Sequence, residues 1–144
     1  MRFAGTAAAL VAAATLLAGC SSSTVSVSAG PTAASAPATG ASLAPAEFAA
    51  AAKLPDTVLL DVRTPEEFAS GHLPGAVNID IESADFGQQV MALDQNKSYA
   101  VYCRSGNRSK AATTAMQQVG FTKLYDLSGG INAWKSAGGE VVTT

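Results

Sequence analysis

The chain has 144 residues, enough for one domain of ordinary size and too few for two. Nine Lys and Arg stand against eleven Asp and Glu, with no basic stripe interleaved with aromatics, which excludes a nucleic-acid partner. A single histidine and two widely separated cysteines form no ligand cluster, so neither a metal nor another cofactor is expected.

At the N-terminus, Arg2 precedes an uncharged Ala- and Leu-rich run from Phe3 to Ala18, which reads as an export signal over residues 1–19. The run is dominated by small alanines and gives way at once to Ser21-Ser22-Ser23-Thr24, so it is no permanent membrane span. Leu17-Ala18-Gly19-Cys20 resembles the lipobox of bacterial lipoproteins. That resemblance implies that Cys20 is acylated, becomes the new N-terminus and anchors the protein to the lipid bilayer on the extracytoplasmic face of a bacterial cell membrane. Cleavage removes Arg2, leaving eight basic residues against eleven acidic ones. With an ordinary secretory peptide instead, Cys20 would be free to form a disulfide with Cys103 in an oxidising compartment. Residues 20–44 are Ser, Thr, Ala, Gly and Pro with hardly a bulky side chain. Such a stretch buries too little apolar surface to offset its ordering entropy, which predicts a disordered tether stiffened locally at Pro31, Pro37 and Pro45.

Residues 45–144 alternate short apolar runs with helical patterns, which predicts an α/β fold with an open parallel sheet of about five strands and helices on both faces. Pro45 to Lys53 reads as a helix anchored by Phe48. Thr57 to Val62 is a continuous apolar run of the kind shown by a parallel strand covered on both faces. Thr64-Pro65-Glu66-Glu67 supplies a cap, a first-turn proline and a capping-box glutamate for a short helix that Gly71 terminates. Ala76 to Ile79 is a second strand, and Tyr99 to Tyr102 a third, central one. Ala111, Ala112, Ala115, Met116 and Val119 recur at helical spacing up to Gly120. Lys123 to Leu127 is a further strand, Gly130 to Ala137 a helix anchored by Trp134, and Glu140 to Val142 an edge strand.

Cys103 opens the run Cys103-Arg104-Ser105-Gly106-Asn107-Arg108 between the central strand and the helix that follows it. A thiol at the mouth of a helix meets several backbone N–H groups and the positive end of the dipole, while Arg104 and Arg108 add full charges. This setting favours the nucleophilic thiolate and, with Lys110 nearby, a small anionic partner. Gly106 supplies tolerance of positive φ, and Asn107 does the same or hydrogen-bonds within the loop.

Three separated motifs resemble the rhodanese homology domain. The first is Leu60-Asp61-Val62-Arg63 with Glu66-Glu67-Phe68 and Gly71-His72-Leu73-Pro74-Gly75-Ala76-Val77-Asn78-Ile79. The second is the cysteine loop. The third is Leu127-Ser128-Gly129-Gly130-Ile131-Asn132-Ala133-Trp134 with the Gly138-Gly139 pair. The resemblance covers nearly all of residues 45–144. It implies a single-domain sulfurtransferase in which Cys103 carries a persulfide between a small anionic sulfur donor, such as thiosulfate, and cyanide or a thiol as acceptor. The loop spans six residues, Cys-x4-Arg, as in the family's sulfurtransferases, whereas related phosphatases have Cys-x5-Arg. Residues 104–108 would bind the substrate, with Arg104 and Arg108 orienting it and Arg108 also bracing the loop. Some thiosulfate-using relatives carry a lysine inside the loop where this chain has Ser105 and Asn107, so a bulkier or protein-bound persulfide donor is equally compatible.

Three further residues read as structural support. His72 lies in a Gly-His-Leu-Pro-Gly turn, Asp61 at a strand end near the loop, and Arg63 within reach of Glu67. A rhodanese-fold binding module without turnover, and phosphatase or arsenate chemistry on an oxyanion, are the competing functions. The retained cysteine and arginines argue against the first, and the short loop against the second.

Overall fold

The computed structural model describes residues 25–144, so Cys20 and the expected signal segment lie outside the described residues. Along the chain run β1 (Ala41–Leu43), α1 (Pro45–Ala52), β2 (Thr57–Asp61), α2 (Pro65–Ser70), β3 (Val77–Asn78), α3 (Phe86–Met91), β4 (Ser98–Tyr102), α4 (Asn107–Gln118), β5 (Leu124–Leu127) and α5 (Gly130–Ser136). The strands form one five-stranded sheet, all parallel, in the order β1-β5-β4-β2-β3.

Alternation along the central strands divides the core in two. Leu59, Ala100 and Tyr102 face one cluster with Phe48, Tyr125, Ile131 and Trp134, beneath α1 and α5. Leu60, Val101 and Cys103 face the other with Val90, Ala112, Met116 and Phe121, beneath α3 and α4. Phe48 packs edge-on against Tyr125 at 5.9 Å and Trp134 at 6.5 Å, so the two anchoring aromatics of α1 and α5 meet each other. β2 runs on toward β3 at one edge while β4 runs on toward β5 at the other. The carboxyl ends of β2 and β4 therefore flank a point where the connections diverge, the usual ligand crevice of an open α/β sheet.

The sheet edge differs from expectation. Glu140 to Val142 forms no strand of the sheet, and Val142 makes one antiparallel bridge with His72. The edge is β1, taken from the segment whose composition predicts a disordered tether, paired in register Ala41↔Tyr125 to Leu43↔Leu127. Backbone groups make this pairing, including Gly40 N–H to Leu124 O at 2.7 Å and Ser128 N–H to Leu43 O at 2.8 Å, so small side chains suffice. Upstream, Val25 is buried, and Ala33 N–H donates to Ala50 O of α1 at 2.9 Å. The domain thus begins before residue 45. α3 has no clear sequence signal either, because six residues with one buried anchor, Val90, give too little periodicity.

α2 has its expected capping box: Thr64 Oγ1 accepts from Glu67 N–H at 3.3 Å, and Glu67 Oε2 from Thr64 N–H at 3.2 Å.

Candidate active site

β4 ends at Tyr102, and Val62 N–H donates to Tyr102 O at 3.0 Å, joining the ends of β2 and β4 where the thiol emerges. Cys103 is only 1 % exposed, and its side chain points toward α4. Gly106 takes φ +103° at the N-cap of α4 and directs its N–H at Cys103 Sγ, 3.1 Å away. Of the loop amides only this one reaches the sulfur, fewer than the helix-mouth placement suggests. Among the described residues, the amides of Ser105, Asn107 and Arg108 have no acceptor, so they remain available to an anion in the loop. Ser109 Oγ lies 3.6 Å from the sulfur and 3.1 Å from Asp126 Oδ2 of β5.

The loop rests on α5. Ile131 N–H donates to Cys103 O at 2.9 Å and Asn132 N–H to Arg104 O at 3.2 Å. This approach requires Gly130, where a Cβ would stand 2.5 Å from both Cys103 O and the Arg104 carbonyl carbon. The double glycine of the third sequence motif is therefore the seat of the cysteine loop.

The two loop arginines take different positions. Arg104, Ser105 and Asn107 are exposed, with Arg104 in none of the ion pairs formed among the described residues. Arg108 is clamped: Nη1 and Nη2 donate to Glu67 Oε2 and Oε1, each at 2.8 Å, and Nη1 also donates to Glu82 Oε2 at 3.2 Å. The fork pins the start of α4 to α2 and raises the Arg108 value further above its ordinary range. Arg108 therefore braces the loop and has little charge to spare for a substrate.

The hydrogen bonds from Arg108 hold the Glu67 carboxyl down at about 2, from 4.5. Because the folded value is depressed, the pair's contribution to stability is fully present above pH 4.5 and is lost as pH falls toward 2. Glu67→Gln is expected to destabilise the protein at pH 7 by on the order of 1 kcal/mol. The same change makes the fall in Tm between pH 5 and pH 2 shallower, which thermal melts across that range would show.

Asp61 and Arg63 pair with each other, where the sequence suggests Arg63 with Glu67. Arg63 Nε donates to Asp61 Oδ1 at 2.9 Å, and Nη2 to Oδ2 at 2.5 Å and to Gly71 O at 2.8 Å. Burial works against the Arg63 charge, and the hydrogen bonds and charge of Asp61 outweigh it, leaving the guanidinium above its ordinary value. The guanidinium also lies 5.6 Å from the centre of the Tyr102 ring. Both Asp61 oxygens are thus committed to Arg63, away from the cysteine loop. His72 stacks on Phe68 at 3.7 Å with Nδ1 2.9 Å from Phe68 O, within the α2 turn.

Ser109, Asp126, Gly130 and the two carboxylates that clamp Arg108, Glu67 and Glu82, do not stand out as site residues in the sequence. Gly130 has a signal in its motif. The others are brought together only by packing of α4 on β5 and α2.

A buried thiol delivered by the central parallel strand into a six-residue loop, seated on a glycine pair and capped by a helix, defines a class. The family model for the rhodanese-like domain matches residues 44–137, and the chain belongs to that family. Among curated relatives, thiosulfate sulfurtransferase 16, chloroplastic, of Arabidopsis thaliana is 42 % identical over 89 residues, 55 % of this chain and 74 % of that protein. A thiosulfate sulfurtransferase of Pseudomonas syringae is 37 % identical over 93 residues, 64 % of this chain and 85 % of that protein. The crystal structure of a rhodanese-related protein from Thermoplasma volcanium superposes with a TM-score of 0.64 at 34 % identity, covering 72 % of this chain and 99 % of that one.

Proposed function

We propose that the protein is a thiosulfate sulfurtransferase-like enzyme that carries a sulfane sulfur as a persulfide on Cys103. The observation that carries the reading is the placement of Cys103 Sγ, nearly covered by protein, 3.1 Å from the Gly106 amide at the N-terminus of α4. A sulfur so enclosed is reached by the terminal atom of a donor more readily than by a tetrahedral phosphorus. The relatives described above support the same chemistry by name.

In the first half-reaction the Cys103 thiolate attacks the outer sulfur of thiosulfate. A new S–S bond forms, the original S–S bond breaks, and sulfite leaves with its electron pair. The persulfide anion that remains is stabilised by the amides of Ser105, Asn107 and Arg108 and by the α4 dipole. Arg104, free at the mouth, draws in the anionic donor, while the clamped Arg108 keeps the loop in shape. In the second half-reaction cyanide or a thiol attacks the outer sulfur, and the Cys103 thiolate is regenerated. Thiocyanate formation from thiosulfate and cyanide tests the reading, and aryl phosphate hydrolysis in its place would overturn it.

The protein works outside the cytoplasm, held to a membrane through acylated Cys20. The support is Leu17-Ala18-Gly19-Cys20 directly behind an apolar run. Cells fed labelled palmitate are expected to label the wild-type chain and not Cys20→Ala, and equal labelling of both would refute the anchor.

A further inference from the structure

Asp126 is a carboxylate in an otherwise apolar strand, Leu124-Tyr125-Asp126-Leu127, and is only 2 % exposed. Burying such a group costs several kcal/mol unless it is paired or shares a proton. Among the described residues it has no cationic partner, and its hydrogen bond is with Ser109 Oγ at 3.1 Å. Ser109, itself fully buried, has a second acceptor in Gly106 O, also at 3.1 Å, so a carboxylate is not needed to satisfy the hydroxyl. What the carboxylate adds is a place for a proton, one hydroxyl away from Cys103 Sγ.

We propose that Ser109 and Asp126 form a proton relay for Cys103. This inference rests on Cys103 being the sulfur nucleophile. In one state the thiol donates to Ser109 Oγ and the hydroxyl donates to ionised Asp126. When the thiol ionises, its proton passes to Ser109 Oγ while the hydroxyl proton passes to Asp126 Oδ2. The protonated carboxyl then donates to Ser109, and Ser109 donates to the thiolate. Both states use the same two contacts, 3.6 Å and 3.1 Å, and in each every proton of the three groups has an acceptor. No net charge moves into or out of the core. Ser109 touches the reacting sulfur, and Asp126 is a positioning residue that acts through it.

The neighbouring elements leave the relay isolated. Across the sheet Asp126 is in register with Val101 of β4 and Ser42 of β1, neither ionisable. Lys110 on α4 is exposed, Arg104 is exposed at the mouth, and Arg108 is committed to Glu67 and Glu82. Among the described residues no cation competes for the Asp126 carboxylate, so a proton in the relay has only Cys103 and Asp126 as its two ends.

The test is the pH dependence of Cys103 alkylation by iodoacetamide, which needs no sulfur donor and so fails separately from the sulfurtransferase reading. The wild type is expected to show two steps with a level rate between them. In Asp126→Asn and in Ser109→Ala the profile becomes a single step, with the rate falling about tenfold per pH unit below its midpoint. The double variant behaves as either single, and Ser109→Thr keeps two steps. A single-step wild-type profile overturns the relay, as does an Asp126→Asn or Ser109→Ala profile that retains both steps. Since the wild-type profile is itself decisive, a variant that fails to fold does not rescue the proposal.

Discussion

Cys103→Ser is expected to abolish thiocyanate formation, lowering turnover by at least about 10⁴-fold, while leaving the fold intact. A serine hydroxyl is almost wholly protonated at neutral pH and does not displace sulfite from a sulfane sulfur, so the first half-reaction has no nucleophile. The substitution replaces one small atom in a site that already offers the Gly106 N–H and Ser109 Oγ as partners, so the new hydroxyl is not orphaned. Thermal unfolding should therefore change by no more than about 1 kcal/mol. Incubation with thiosulfate should add the mass of one sulfur atom to the wild type and nothing to the variant, as read by intact-protein mass spectrometry. Turnover retained in the variant would remove Cys103 from the mechanism.

Gly130→Ala should have the second largest effect, although its side chain would never touch a substrate. At φ +59° an L-residue costs roughly 1–2 kcal/mol, and the added methyl would meet Cys103 O and the Arg104 carbonyl carbon at 2.5 Å. Those atoms belong to the backbone that aims the thiol, so relief comes only by moving the loop off α5 and weakening the Ile131 and Asn132 hydrogen bonds. A loss of stability of about 3 kcal/mol or more is expected from strain and overpacking together. Displacing the nucleophile by about 1 Å is expected to cost at least 100-fold in turnover even in the folded fraction. Gly138→Ala is the control: its φ is also positive, but nothing lies within 4 Å of the added methyl, so it should lose stability by strain alone and keep its activity per folded molecule.

Much of the fold follows from signals that lie close together in the chain. The α2 capping box spans Thr64 to Glu67, and the apolar runs of β2 and β4 mark buried parallel strands. Cys103 to Arg108 is one uninterrupted loop between a strand and a helix, so the nucleophile and its cradle are legible in the sequence alone. Structure and sequence pattern part where the local signal is weak. β1 and its upstream segment are made of small residues whose composition matches a tether, yet they are ordered because β5 offers an unpaired edge and α1 an apolar surface. Glu140 to Val142 has the better strand composition but meets only the His72 turn.

Residue order along the chain is enough to set the α/β class, the position and loop length of the thiol, the caps and the helix anchors, because each depends on residues a few positions apart. Which charges meet is settled only by the packed fold. Glu67 is 41 residues from Arg108 and on sequence grounds belongs with Arg63, and Asp126 is 17 residues from Ser109 with no pattern linking them. Those contacts depend on strand order and on which sheet face each helix covers. Burial of both apolar faces determines these for the chain as a whole, and no short window of sequence records the outcome.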